Sequence, residues 1–269
     1  MRRDLSELMG FYASPLGRAA RDLILRQVMQ AWGDLRGLDV LGVGYAAPYL
    51  EPFRRDARRT LAAMPARQGV ELWPRGERVL SCLVADASLP FPNALFDRIL
   101  MLHALEEADD PKAMMVEAYR VLAPSGRLIV VAAARGGLWA HAEHTPFGHG
   151  RPFTRGQLEQ VVRAAGLEPA AWSRALYAPP YRGFAPWAEA IEQIGSRLAA
   201  PASGVVMMEA VKQTFAVRPR GLMAPAVRRP VFQPAPVGAV RSQGEFPIAS
   251  ARKLRHRHEN PLETGGIHR

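Results

Sequence analysis

Asp86-Ala-Ser-Leu-Pro-Phe-Pro-Asn-Ala-Leu-Phe-Asp97-Arg-Ile-Leu-Met-Leu-His103-Ala-Leu-Glu106, followed ten residues later by Glu117-Ala-Tyr-Arg-Val-Leu-Ala-Pro-Ser-Gly126-Arg-Leu-Ile-Val-Val131, decides how the rest of the chain is read. Arg98–Leu102 is a short apolar strand that ends at His103. Pro111–Leu122 places Ala113/Met114, Ala118 and Val121/Leu122 at helical spacing, and proline is tolerated in a first helical turn. Pro124-Ser125-Gly126 reads as a turn. Arg127–Ala134 is a continuous apolar run, the pattern of a strand covered on both faces. A strand, a helix and a second strand in this order imply a crossover within a parallel sheet.

The flanking chain continues that alternation. Ser14-Pro15 opens a helix that runs to about Trp32, with serine suited to accept from the free backbone N–H groups. Leu38–Leu41 is a strand running into Gly42-Val-Gly44-Tyr-Ala46-Ala47, and a short helix follows near Ala47–Arg54. Arg59–Met64 is a second strand, stopped by Pro65, and Val79–Ala85 is a third. Beyond a loop at Arg135–Pro152, Thr154–Ala165 reads as a helix with Thr154 as its N-cap and Gly166 at its end. Ala170–Tyr177 and Val205–Val217 are apolar stretches on either side of a helix near Pro186–Leu198. These elements predict an α/β fold: a seven-stranded Rossmann-like sheet with helices on both faces, spanning residues 1–217. Residues 218–269 hold seven Pro and five Gly without sustained periodicity, and read as a basic, Pro/Arg-rich flexible tail.

A glycine loop between strand and helix lets a ligand approach the backbone and leaves loop N–H groups free to bind. Gly42-Val-Gly44 has that character. Alone it equally suits a tight turn or the G-x-G-x-x-A form of a dinucleotide fingerprint.

The two quoted stretches resemble the core signature of class I S-adenosylmethionine (SAM) dependent methyltransferases, most closely the type 11 subgroup. The matching features are the Asp86-Ala87 pair, the Leu-Pro-Phe run leading to Phe96-Asp97, and Arg-Val-Leu-x-Pro-x-Gly before the fifth strand. The resemblance covers about residues 35–135. It implies a SAM cofactor and methyl transfer to a small-molecule or protein acceptor. By the same resemblance, Gly42, Gly44, Tyr45 and Ala46 would line the methionine end of SAM, and Met64 and Pro65 would lie at the ribose. Asp86 would accept from the adenine amine, with Ala87 leaving room for the ring. Leu102 and His103 would flank the reactive methyl. His103 is a weak candidate for catalysis as a base, and suits a satisfied buried histidine as well. Tyr12 and Arg18 are placed by position to close over the cofactor.

Two departures stand out. Val40 occupies the position, two before the first glycine, where the family usually has an acid; Asp39 is one residue further back and points to the other face. No acid lies in Leu61–Gln68, where the family usually holds the ribose hydroxyls; Gln68 is a partial substitute, since an amide both donates and accepts. A catalytically degenerate domain that binds a partner is therefore the alternative reading.

The chain has 269 residues and a net charge of +10. Residues 218–269 carry ten Lys+Arg against three Asp+Glu, a net of +7. A basic tail suits contact with a nucleic acid, an anionic lipid or an acidic protein, and a solvated tail satisfies the same composition. Cys82 is the single cysteine, which fits a reducing compartment. No apolar run reaches the roughly 18 residues of a membrane span, and the first residues lack a leader's apolar core. These features lead us to expect a cytoplasmic protein. His141, Glu143, His144 and His149 share one loop but match no common zinc spacing, so no metal is expected. The aromatics Trp139, Phe147, Phe153, Tyr177, Tyr181, Phe184 and Trp187 suit either a substrate pocket or core.

Overall fold

The computed structural model describes residues 4–198 and 202–213. Its chain order is α1 (Leu5–Ala13), α2 (Pro15–Trp32), β1 (Asp39–Gly44), α3 (Ala47–Leu50), β2 (Arg59–Pro65), β3 (Ser81–Val84) and β4 (Phe96–Leu102). Then follow α4 (Pro111–Val121), β5 (Leu122–Ala133), α5 (Arg155–Ala164), β6 (Glu168–Ala175), α6 (Ala188–Arg197) and β7 (Val205–Val211).

The seven strands form one sheet in the order β3-β2-β1-β4-β5-β7-β6. Strands β1–β5 are parallel to one another, whereas β7 is antiparallel to both β5 and β6. This is the Rossmann-like α/β architecture expected from the sequence. Period-two alternation divides its core between two faces. Val40, Leu100, Ile129 and Met207 pack with α1, α2 and α3. Leu41, Ile99, Leu128 and Met208 pack with α4 and α5 on the other side.

Local chemistry sets the helix ends. Ser14 accepts from the Gly17 N–H, with Pro15 as the first residue of α2. Thr154 and Gln157 form a reciprocal capping box on α5, and Gly166 beyond it takes φ +85°. Two elements differ from the reading of the sequence. The helix α1 was not foreseen, because Leu5–Ala13 has only Leu8 and Tyr12 buried and so shows a weak stripe. Strand β5 begins at Leu122, five residues before Arg127, because Leu122 pairs with Phe96 across a register shift that absorbs Pro124–Gly126.

No helix among the described residues is long and apolar enough to cross a membrane. The basic tail at 218–269 lies outside the described residues.

Candidate functional site

Strand order reverses between β1 and β4, since β1 leads outward to β2 and β3 while β4 leads to β5. In open α/β sheets, ligands bind beyond the carboxyl ends of the strands at such a switch point. Here those ends are Gly44 and Leu102, which are register partners. Gly44 has φ +84°, and a Cβ added there would lie 2.2 Å from the Leu102 carbonyl oxygen. That carbonyl also accepts the Tyr45 N–H at 3.0 Å. At Gly42 an added Cβ would lie 2.7 Å from both Ala46 Cβ and Leu50 Cδ1. The two glycines thus let α3 and β4 close tightly on β1, and Gly42, Gly44, Tyr45 and Ala46 are all buried.

Helix α1 reaches this loop through Tyr12. Its hydroxyl lies 2.7 Å from His103 Nε2 and 2.9 Å from the Tyr49 hydroxyl. Its ring lies 5.6 Å from that of Tyr45. Phe147, from the loop after β5, also packs against His103, with ring centroids 4.7 Å apart. Enclosure raises the Tyr12 phenol well above its ordinary value, mainly by desolvation and then by Tyr49. The same desolvation drives His103 down to about 3. His103 is therefore a neutral imidazole, held in a left-handed backbone turn at φ +52°.

An acid does stand beside the loop, though not where the family pattern would place it. Glu71 accepts from the Tyr45 hydroxyl at 3.2 Å and from Arg75 at 3.1 Å. Its backbone N–H points to Met64 Sδ at 3.3 Å, beside Pro65 at the end of β2. Reading β2 alone missed it, because the chain turns back after Pro65 and returns to the strand's end six residues later. A cavity of about 530 Å³ opens here, walled by Leu5 and Met9 of α1 and by Val70, Glu71, Leu72 and Arg75. Gln68 is buried nearby. Its Nε2 donates to the His103 carbonyl at 3.2 Å, while its Oε1 has no partner among the described residues.

The other expected residues fall in different settings. Met64, Pro65 and Leu102 are buried, Asp86 is half-buried at the end of β3, and Ala87 is exposed. None of the ten expected cofactor contacts is among the residues walling the cavity. Arg18 is exposed and donates to the Ala13 carbonyl, capping α1 rather than covering the loop. Asp39 is buried at the far end of β1 and takes both guanidinium arms of Arg58, at 2.9 and 2.6 Å. Its role is to hold the strand's start. His144 and His149 bond the carbonyls of Pro180 and Glu143, each at 2.6 Å. Among the described residues no group of three His, Cys, Asp or Glu side chains is placed to hold a metal. The late aromatics divide: Trp139, Phe147 and Phe153 are core, whereas Tyr181, Phe184 and Trp187 are exposed.

Residues 37–130 match the family model described as "Methyltransferase domain". Residues 37–130 are a methyltransferase domain of the class I, Rossmann-like kind. Over 96 residues the chain is 34% identical to a demethylmenaquinone methyltransferase of Thermus thermophilus, covering 35% of this chain and 36% of that protein. A demethylmenaquinone methyltransferase of Tropheryma whipplei is 26% identical over 157 residues, 55% of this chain and 61% of that one. The chain thus spans between a third and two thirds of the length of these curated relatives. Among solved structures, a SAM-dependent methyltransferase of Thermotoga maritima, described as a possible histamine N-methyltransferase, superposes with TM-score 0.56 at 19% identity, covering 78% of this chain and 96% of that one. The [4+2]-cyclase SpnF superposes at 0.51 and 22% identity, covering 71% and 80%. Both likenesses show the fold alone.

Proposed function

We propose that the chain is a SAM-dependent methyltransferase with a small-molecule acceptor, its catalytic domain ending near residue 217. The observation that carries this reading is the Tyr45–Glu71 hydrogen bond, 3.2 Å long. It supplies a carboxylate at the tip of the glycine loop and on the wall of a cavity whose volume of about 530 Å³ is in the range of ligand sites. Of the residues proposed to hold the cofactor, Glu71 alone walls this cavity. Glu71 and the unpartnered Oε1 of Gln68 would take the ribose hydroxyls, Gly42, Gly44, Tyr45 and Ala46 the amino-acid end, and Asp86 with Ala87 the adenine.

When bound, SAM supplies an electrophilic methyl on a sulfonium that is already a good leaving group. The protein's part is then alignment and exclusion of water rather than proton transfer. His103 is a poor base as it stands: a catalytic base works best near the operating pH, and burial holds this one at about 3 with Nε2 engaged by Tyr12. Both relatives are named for demethylmenaquinone, a quinone, so quinones and their reduced hydroquinones are the first acceptors to assay. A reducing cytoplasmic setting is part of this reading, given the single cysteine.

The second reading, a domain that binds without turnover, is favoured by the Tyr45 N–H being already satisfied by Leu102 and by Tyr12 lying over the loop. Calorimetric titration of the full chain with SAM and S-adenosylhomocysteine separates the two. Binding of both, followed by methyl transfer to a quinone or hydroquinone acceptor, supports the enzyme. A folded chain that shows no heat at millimolar ligand overturns it.

A further inference from the structure

Helix α6 and the turn before it carry more apolar surface than the domain covers. Trp187, Ile194 and Leu198 are 66%, 58% and 74% exposed. Their spacings of seven and four residues set them on one face of the helix. The adjoining side of α6 is the one that packs down, with Ala188 and Glu192 buried. Tyr181, stacked on His144, and Phe184 are 59% and 42% exposed and lie at and within the Arg182–Trp187 turn that leads into α6. Surface apolar residues scattered singly need no explanation, but five within eighteen residues, three of them on one helix face, are the composition expected of an interaction surface.

The charges of this segment point one way. Glu189 is paired with Arg26, and Glu192 is buried, accepting the Leu176 and Tyr177 N–H groups at 3.1 and 2.9 Å. Arg182 and Arg197 are exposed and pair with no carboxylate among the described residues. The free charge of the face is therefore positive, around Trp, Tyr, Phe, Ile and Leu. Aromatic rings at headgroup depth, aliphatic chains below them and arginines at the rim are the composition of a helix lying in a membrane interface. Arginines beside such a face complement anionic headgroups.

The location suits that role. Ala175, at the end of β6, and Ala133, at the end of β5, both pair with Val205, so the two strands finish on one edge of the sheet. That is the edge bearing Gly44 and Leu102. Trp139 Nε1 donates to the Ala178 carbonyl at 2.8 Å, and His144 Nε2 meets the Pro180 carbonyl at 2.6 Å. These bonds tie the exposed turn to the loop whose Phe147 covers His103.

We propose that Tyr181, Phe184, Trp187, Ile194 and Leu198, rimmed by Arg182 and Arg197, form a docking face for an anionic lipid bilayer. This interaction does not depend on methyl transfer. Trp187 makes it directly readable. Of the five tryptophans, Trp32, Trp73 and Trp139 are buried and Trp172 is half-buried beneath Arg155.

The full chain is mixed with vesicles of phosphatidylcholine and phosphatidylglycerol, with and without brominated acyl chains, and its tryptophan emission is followed. The face predicts a blue shift and quenching by brominated lipid, both absent in Trp187→Phe. Partitioning should fall about ten-fold in Ile194→Ser/Leu198→Ser and several-fold in Arg182→Gln/Arg197→Gln, with circular dichroism unchanged. Absence of partitioning overturns the proposal. So does vesicle binding in which Trp187 stays unquenched, since the basic residues 218–269 would then carry the contact. Sedimentation showing that Trp187 is shielded in a dimer, which Ile194→Ser dissolves, also overturns it and assigns the face to a second copy of the chain.

Discussion

The Tyr12 hydroxyl lies 2.7 Å from Nε2 of His103, joining the first helix to the end of the fourth strand across 91 residues of chain. The contact is buried, and it sets α1 directly over the glycine loop. Tyr12→Phe keeps the ring but leaves His103 Nε2 and the Tyr49 hydroxyl short of a partner. Stability should fall by about 1–3 kcal/mol, the usual effect of orphaning a buried polar group. Urea unfolding of the two proteins measures it, and an unchanged midpoint would show that the hydrogen bond contributes nothing.

His103 also makes stability depend on acid. In the folded chain it titrates near 3, whereas an unhindered histidine takes up its proton near 6.5. Between those values only the unfolded state is protonated, so this group's contribution is present above 6.5 and is lost as pH falls towards 3. The slope is at most about 1.4 kcal/mol per pH unit. His103→Asn, which tolerates the left-handed turn, should flatten the acid limb of a stability–pH curve. If both proteins lose stability in parallel from pH 6.5 to 4, His103 is not the responsible group.

Glu106 acts in the opposite direction. It is buried and accepts the Ala133 N–H through Oε1, while Oε2 has no partner among the described residues. Desolvation raises it to about 7 from an ordinary 4.5. The folded state keeps the proton between these values while the unfolded state releases it. Its contribution is therefore full below 4.5 and is lost as pH rises through 7. Glu106→Gln, neutral throughout, should compare better with the native chain at pH 8 than at pH 5, by about 1–3 kcal/mol. Thermal melts at the two pH values measure the difference, and equal gaps would refute it.

Two glycine substitutions separate backbone strain from collision. Gly37 has φ +75° and open space at its Cβ position, whereas Gly44 has φ +84° and the Leu102 oxygen 2.2 Å away. Gly37→Ala should cost about 1–2 kcal/mol from conformation alone. Gly44→Ala should cost at least about 3 kcal/mol, because β1 and β4 must also part. Comparable midpoints for both would mean that the β1–β4 closure yields easily.

Glu71→Gln tests the proposed cofactor site. Losing a charge-assisted contact of about 1.5–3 kcal/mol should weaken SAM binding roughly ten- to hundred-fold. The exposed pair Arg67–Asp109 offers a control, since Asp109→Asn should leave binding unchanged. A Glu71→Gln protein with native affinity would remove Glu71 from the ribose position.

Residues 86–131 and the glycine loop determined the architecture by themselves. Apolar runs at strand length, helical periodicity and capping chemistry are local properties, and they survive without knowledge of what packs against them. The helix ends at Ser14 and Thr154 were legible for the same reason. Three things belonged to the tertiary structure alone. One is the acid beside the glycine loop: Glu71 follows β2 by six residues, and only the chain's return past Pro65 brings it to Tyr45. Another is the state of His103, whose low affinity for a proton comes from burial under Tyr12 and Phe147, residues 91 and 44 positions away in sequence. The last is the division of the late aromatics, where Trp139 and Phe147 are core and Trp187 faces outward. Residue type sets how apolar a side chain is, but which neighbours enclose it depends on contacts distant in sequence, and those form only when the sheet closes.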